Sequence, residues 1–227
     1  ESKRVSKSPL KGKSVLITAG GTKERIDPVR YISNDSSGKM GYALARVAAV
    51  LGAEVQLIST TKQLKVPYGV QVTYVESALE MHDAVTQLFP KTDIAVMVAA
   101  VSDYYVANRS NQKIKKQQNE SGLILELLEN PDILKELGHS KREGQVVIGF
   151  AAETTNVLEY AKAKIEKKKA DVIIANDVSN SRIGFNSDHH QVTLLTKDGH
   201  IVNLPENSKE ELALNIWESL LEEKIVH

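Results

Sequence analysis

The sequence predicts an α/β protein: a Rossmann-like, mostly parallel sheet with helices on both faces, extended by an antiparallel dimerisation arm and a C-terminal hairpin. Three observations carry that reading. Short, branched apolar runs recur at residues 14–18, 54–58, 70–75, 93–98, 145–148 and 171–175, the composition of strands buried on both faces. Segments with apolar residues at helical spacing separate several of them, so strand and helix alternate. Some of the runs end in small residues, Ala19-Gly20-Gly21, Ala99-Ala100 and Gly149-Phe-Ala-Ala152, at the rim where ligands sit in such sheets.

The first unit is the most informative. Gly20 and Gly21 follow the first strand, and a glycine pair lets the backbone turn sharply and approach a ligand. The polar connection from Thr22 to Lys39 is long for a compact α/β unit and reads as a ligand loop rather than a plain connector. Met40, Ala43, Leu44, Val47, Ala48 and Leu51 then mark one face of a helix that Gly52 ends. A helix opening out of glycines and hydroxyls is a natural anion site, because its free N–H groups and its dipole both favour phosphate.

Further along, Ser77 caps a helix carrying Leu79, Met81, Ala84, Val85 and Leu88. After the strand at 93–98, Asp103 stands either at the ligand rim or as a turn cap. Residues 113–116 and 123–129 read as two strands joined by a polar turn at 117–122, within an arm spanning about 105–129. The apolar second strand needs cover from the sheet or from another subunit. Lys113, Lys115 and Lys116 fit equally a solvated edge blunted by lysine and a phosphate-contacting arm. Asn130 and Pro131 open a helix. The strand at 145–148 passes into a second small-residue turn at 149–156, and then into a lysine-rich helix. Most of its lysines suit a solvated last turn, and one or both of Lys164 and Lys168, four apart on one face, could reach a polyphosphate. The strand at 171–175 ends at Asn176, and a loop with Gly184-Phe-Asn186 follows. Residues 191–204 form a hairpin about Asp198-Gly199. Ser208 and Glu211 make a capping box for a last helix that buries Leu212, Ile216, Trp217 and Leu220.

Composition narrows the chemistry. Lys plus Arg and Asp plus Glu are both 29, so no basic surplus supports general nucleic-acid binding. Without cysteine, disulfides, thiolate metal sites and cysteine nucleophiles are excluded. The histidines show no ligand spacing, and metal ligands stay unassigned. No apolar run approaches the roughly 20 residues of a membrane span, and no signal peptide is visible, so a cytoplasmic protein is expected. Residues 1–12 are polar, basic and Ser-rich and read as a linker, with residues 13–227 as one nucleotide-binding domain. The chain has no G-x-G-x-x-G, no Walker A sequence and no nucleophile elbow. What remains is a nucleotide-sized pocket of amides, Asn, Ser, Asp and lysines. That suits nucleotidyl transfer, where positioning and charge neutralisation carry the catalysis. A nucleotide-binding α/β oxidoreductase or sensor is the alternative on the same sheet, and it needs neither Asn34 nor the lysine arm.

Ile17-Thr-Ala-Gly-Gly-Thr22, followed by Ile26-Asp-Pro-Val-Arg-Tyr-Ile-Ser-Asn-Asp-Ser-Ser-Gly-Lys-Met-Gly41, resembles phosphopantothenate–cysteine ligase of coenzyme A biosynthesis. Ala99-Ala-Val-Ser-Asp-Tyr104, Lys113-Ile-Lys-Lys116, Asn130-Pro-Asp-Ile133, Gly149-Phe-Ala-Ala-Glu-Thr154 and Ala175-Asn-Asp-Val178 agree in order, so the likeness covers nearly the whole chain. The resemblance implies joining of 4′-phosphopantothenate to cysteine through an acyl-nucleotide, with CTP in bacterial members, ATP in animal ones, and Mg²⁺ on the nucleotide. By that resemblance Asn34 holds the intermediate, and Gly20, Ser36, Gly38 and Gly41 line the nucleotide. Phe150 and Asn176 lie near base and ribose, and Ala99, Ala100 and Asp103 where the two substrates meet. Lys113 belongs to an active-site flap at the dimer interface, and Arg30 reaches phosphopantothenate in the neighbouring protomer. Pro131, Asp132, Ile133, Leu134, Lys164 and Lys168 are further nucleotide contacts of the bacterial type. The resemblance also implies a homodimer, often fused behind a flavin-dependent decarboxylase, which the linker-like start fits.

Overall fold

A computed structural model describes residues 8–116, 122–153, 157–177 and 189–227. Most of the linker-like start, the arm's turn at 117–121, the end of the second turn at 154–156, Val178 and the loop containing Gly184 lie outside the described residues. The elements run β1 (Ser14–Ala19), β2 (Lys23–Arg25), β3 (Tyr31–Ser33), α1 (Lys39–Val50), β4 (Glu54–Ser59), β5 (Val70–Tyr74), α2 (Ala78–Leu88), β6 (Ile94–Met97), β7 (Tyr104–Val106) and β8 (Leu127–Glu129). They continue with α3 (Ile133–Ser140), β9 (Val146–Glu153), α4 (Val157–Lys168), β10 (Val172–Asp177), β11 (His189–Thr196), β12 (Ile201–Ser208) and α5 (Lys209–Glu222).

The main sheet has the order β12-β11-β10-β9-β6-β1-β4-β5. From β5 to β10 all neighbours are parallel, and β11 and β12 add the antiparallel hairpin. Strand order reverses between β1 and β6, where the crossovers leave in opposite directions and open a crevice beyond the carboxyl ends. The alternation of side chains divides the core into two faces. Val15, Ile17, Val55 and Leu57 pack with α1 and α5, and Trp217 donates from Nε1 to the Leu44 carbonyl at 3.1 Å beneath them. Leu16, Ile58 and Ala95 face α2 and α3, while Ile173 and Ala175 face α4. No helix among the described residues is long and apolar enough to cross a membrane.

Several local expectations hold. Ser77 Oγ accepts from the Glu80 amide at 3.2 Å, Gly52 closes α1 at φ 97, and Ser208 Oγ accepts from the Glu211 amide at 3.3 Å. Others need correction. Leu79 is exposed, because α2 turns Ala78, Met81 and Val85 inward. The cap of α3 is Asp132, which accepts from the Lys135 amide at 3.1 Å; Asn130 instead donates from Nδ2 to the Ser102 carbonyl. Residues 149–153 continue β9 rather than turning, because Gly149 is a packing glycine: a Cβ there would lie 2.5 Å from Leu134 Cδ2. The antiparallel arm pairs β8 with β7, not with residues 113–116. The Thr22 to Lys39 connection also holds a ribbon of β2 and β3 that periodicity did not reveal.

Candidate functional site

The crevice is assembled from the two motifs that end β1 and β6. Thr18 Oγ1 accepts from the amides of Val98 and Ala99, both at 3.1 Å. The Gly20 carbonyl accepts from the Ala100 amide at 2.9 Å, and the Ala100 carbonyl from the Thr22 amide at 3.2 Å. Thr22 Oγ1 closes the series on the Ser102 amide at 2.9 Å. The threonines therefore hold the rim together with their hydroxyls, and the glycines let the two segments close. Gly20 sits at φ 91 with Thr60 Oγ1 only 2.2 Å from where a Cβ would be. Gly41 lets α1 lie on β1, since its Cβ would stand 2.6 Å from that of Ala19.

Helix α1 begins at Gly38 with no side-chain cap and no acidic residue in its first turn. The Lys39 amide donates to Ser37 Oγ at a long 3.4 Å, so the first turn and the helix dipole can still attract an anion. Beside it lies a cleft of about 660 Å³. Gly20, Asn34, Ser36, Gly38 and Gly41 line one wall. Ala99, Ala100 and Asp103 form the floor at β6, and Phe150, Lys164 and Asn176 close the far side. Asn34 Nδ2 donates to the Val101 carbonyl at 3.2 Å, which ties the loop before α1 to the turn after β6.

A second compartment of about 410 Å³ shares Ala99, Asp103, Phe150 and Lys164 with the first. Pro131, Asp132, Ile133, Leu134 and Lys168 line it. Lys168 Nζ contacts Asp132 Oδ2 directly. Burial pushes the Asp132 carboxyl up, but Lys168 and the Lys135 amide outweigh it and hold the group below its ordinary value. Ser102 Oγ and Asn130 Oδ1, on two residues lining this compartment, are buried without a hydrogen-bond partner among the described residues. Buried polar atoms of that kind call for a ligand or water.

Thus the structure gathers sixteen of the eighteen residues proposed from sequence into two joined compartments. Arg30 and Lys113 are the two it leaves outside. Arg30 is engaged with Asp27 and with the Ile114 carbonyl, and Lys113 is exposed beside it. Lys39, Asp35 and Lys209 line the cleft and were not anticipated. Lys209 is only 8% exposed. Its signal is a cation at the first position of α5, where the helix dipole favours acids. A separate cavity of about 350 Å³ at the amino ends of the strands, lined by Lys13, Asp93 and Arg142, lies away from all of these residues.

Fold and cleft together define a Rossmann-like α/β domain with a candidate ligand cleft at the β1/β6 switch point. Residues 10–223 match the family described as DNA/pantothenate metabolism flavoprotein C-terminal domain, and the chain belongs to that family. The coenzyme A biosynthesis bifunctional protein CoaBC of Bacillus subtilis (strain 168) is 45% identical over 214 residues, covering 94% of this chain and 52% of the relative. The chain therefore spans about half the length of the curated relatives it matches. The crystal structure of the C-terminal domain of a CoaBC protein shares 43% identity with a TM-score of 0.79, covering 94% of this chain and 96% of that one. A Cab2 mutant in complex with phosphopantothenate-cysteine shares the fold at 17% identity and a TM-score of 0.73, covering 94% and 89% of the two chains. The resemblance read from the motifs is to this same synthetase part of the bifunctional proteins.

Proposed function

We propose that this chain is a phosphopantothenate–cysteine ligase that uses CTP. The observation that carries the reading is the convergence of Asn34, the uncapped start of α1, Asp103, Phe150 and Lys164 on one cleft at the switch point. In the first step the phosphopantothenate carboxylate attacks the α-phosphorus. A carboxylate–phosphorus bond forms, the bond to the β-phosphate oxygen breaks, and pyrophosphate leaves. In the second step the cysteine amine attacks the acyl carbon, loses its proton, and expels CMP. Neither step needs a side-chain nucleophile. Amides of α1 would neutralise phosphate charge. The Asn34 amide, able to donate and accept together, would hold the mixed anhydride. The orphaned Ser102 and Asn130 atoms would find partners on the nucleotide.

Among the described residues no group of three or more His, Asp or Glu side chains forms a ready cage for a metal. Mg²⁺ would be carried by the nucleotide phosphates and would neutralise their charge, and Asp35 and Asp103 of the cleft are the carboxylates that would hold it there. The ribbon of β7 and β8 exposes Tyr104, Leu127 and Leu128, with Leu123 and Ile124 beside it. That apolar surface supports a homodimer with the arms crossing. The relatives are bifunctional proteins of which this chain spans about half, which supports fusion to a second enzyme, here proposed to be a flavin-dependent decarboxylase. Incubation with phosphopantothenate, cysteine and each of the four nucleoside triphosphates tests the reading. Phosphopantothenoylcysteine should form fastest with CTP. Absence of product with all four would overturn it, and faster turnover with ATP would reassign the nucleotide.

A further inference from the structure

The backbone of Ile114 is held by two side chains from a distant part of the chain. Asp27 has 0% of its side chain exposed, whereas Arg30 keeps 45%. Asp27 Oδ1 accepts from the amides of Val29 and Arg30, both at 2.9 Å. Its Oδ2 accepts from Arg30 Nε at 3.0 Å, from Arg30 Nη2 at 2.5 Å, and from the Ile114 amide at 3.1 Å. Arg30 Nη2 then donates to the Ile114 carbonyl at 2.9 Å. The pair thus offers an acceptor and a donor side by side. Ile114 meets them as it would meet the edge of a neighbouring strand, which accounts for residues 113–116 pairing with no strand. The Ser110 amide, donating to the Ile26 carbonyl at 3.0 Å, ties the preceding residues to the same loop.

We propose that Asp27 is a positioning residue for Lys113: acting with Arg30, its buried carboxylate fixes where the lysine segment leaves the body of the protein. Only the catalytic consequence rests on the ligase reading; the clamp itself does not. The Arg30 guanidinium, opposed by burial, holds the Asp27 carboxyl well below the ordinary carboxylate range, so the clamp is charged wherever the enzyme works. Asparagine is no substitute. It can keep the Oδ1 turn, but its Nδ2 would then face the N–H donors of Arg30 and Ile114.

The test uses the whole chain. Trypsin under native conditions cuts after Lys113, Lys115 and Lys116 in proportion to how often that segment opens. Asp27→Asn should speed cutting there by about tenfold or more, the size expected of a lost charge-assisted hydrogen bond. Pyrophosphate release is measured in Asp27→Asn, Lys113→Gln and the double variant. If Asp27 acts through Lys113, the double variant should match Lys113→Gln within about twofold. Unchanged cutting at the lysines, or rate losses that multiply, overturns the proposal. Should Asp27→Asn not fold, Arg30→Lys takes its place in the proteolysis, with the same criterion, because it keeps the charge and breaks the fork onto Ile114. If the wild type releases no pyrophosphate, the ligase reading fails, and the proteolysis still decides the clamp.

Discussion

Gly41→Ala tests whether the seat of α1 on β1 sets the chemistry. The added Cβ would stand 2.6 Å from Ala19 Cβ and 2.9 Å from the Thr18 carbonyl, where ordinary contact begins at 3.4 Å. Both neighbours belong to the central strand of the sheet, so the helix must retreat, by about 0.8 Å on the closer contact. Alanine in place of glycine favours a helix by about 1 kcal/mol. Overpacking a dense core costs about 1–3 kcal/mol, and here the contacts are a Cβ with no rotamer to escape by and a backbone carbonyl, so the clash should win. A net loss of about 1–2 kcal/mol is expected, which lowers the unfolding midpoint by a few degrees in a chain of this length. The larger effect should be on rate. The retreat would carry the amides of α1 away from the place proposed for the α-phosphate, and a misplacement near 1 Å can slow a positioned reaction by about a hundredfold. Pyrophosphate release at saturating CTP reads this, with thermal unfolding beside it. Gly122→Ala is the control, since nothing among the described residues lies within 4 Å of its Cβ position. Wild-type turnover in a folded Gly41→Ala would refute the claim that the helix start binds the reacting phosphate.

Other perturbations separate neighbouring claims. Asn34→Asp should fold, losing about 1 kcal/mol with its bond to the Val101 carbonyl. It should release pyrophosphate while forming little of the cysteine adduct, and near-normal product measured by mass spectrometry would return Asn34 to a turn-closing role. Lys113→Gln should slow pyrophosphate release by about 10²–10³ if its charge meets the polyphosphate. An unchanged burst would leave Lys113 a solvated lysine. Asp171 accepts from Lys141 Nζ at 2.7 Å, Lys197 Nζ at 3.0 Å and the Val147 amide at 2.9 Å. Burial pushes its carboxyl up, but these partners together hold it below the ordinary 3.8. The stability it contributes is present above that pH and lost as pH falls through the lower folded value. Asp171→Asn should therefore lower the unfolding midpoint at pH 7, and the difference from wild type should shrink in acid below about pH 3.8. An equal difference at both pH values would contradict this.

The sheet was legible because each core strand announces itself by a branched apolar run, and α1, α2 and α5 by their apolar period, while α3 and α4 show only in the Asn-Pro opening and the lysine-rich stretch. The cleft was legible because its residues cluster at strand ends, where the rule for open α/β sheets places ligands. What stayed hidden depended on contacts between distant side chains. The lysine segment looks like a strand of the arm, but its backbone partners are the side chains of Asp27 and Arg30. Gly149 looks like a turn glycine, yet it is flat in β9 beneath Leu134, because the need for space and the need for a left-handed backbone leave the same letter in the sequence. Lys209 enters the cleft from the far end of the chain, and only the docking of α5 against α1 brings it there.

The central claim is that a carboxylate is activated by bonding to the α-phosphorus of the nucleotide. Turnover of phosphopantothenate labelled with ¹⁸O in its carboxylate tests it directly. One labelled oxygen should be found in the released CMP, and none in pyrophosphate. Label in inorganic phosphate together with a nucleoside diphosphate, or CMP free of label, would contradict the acyl-nucleotide route.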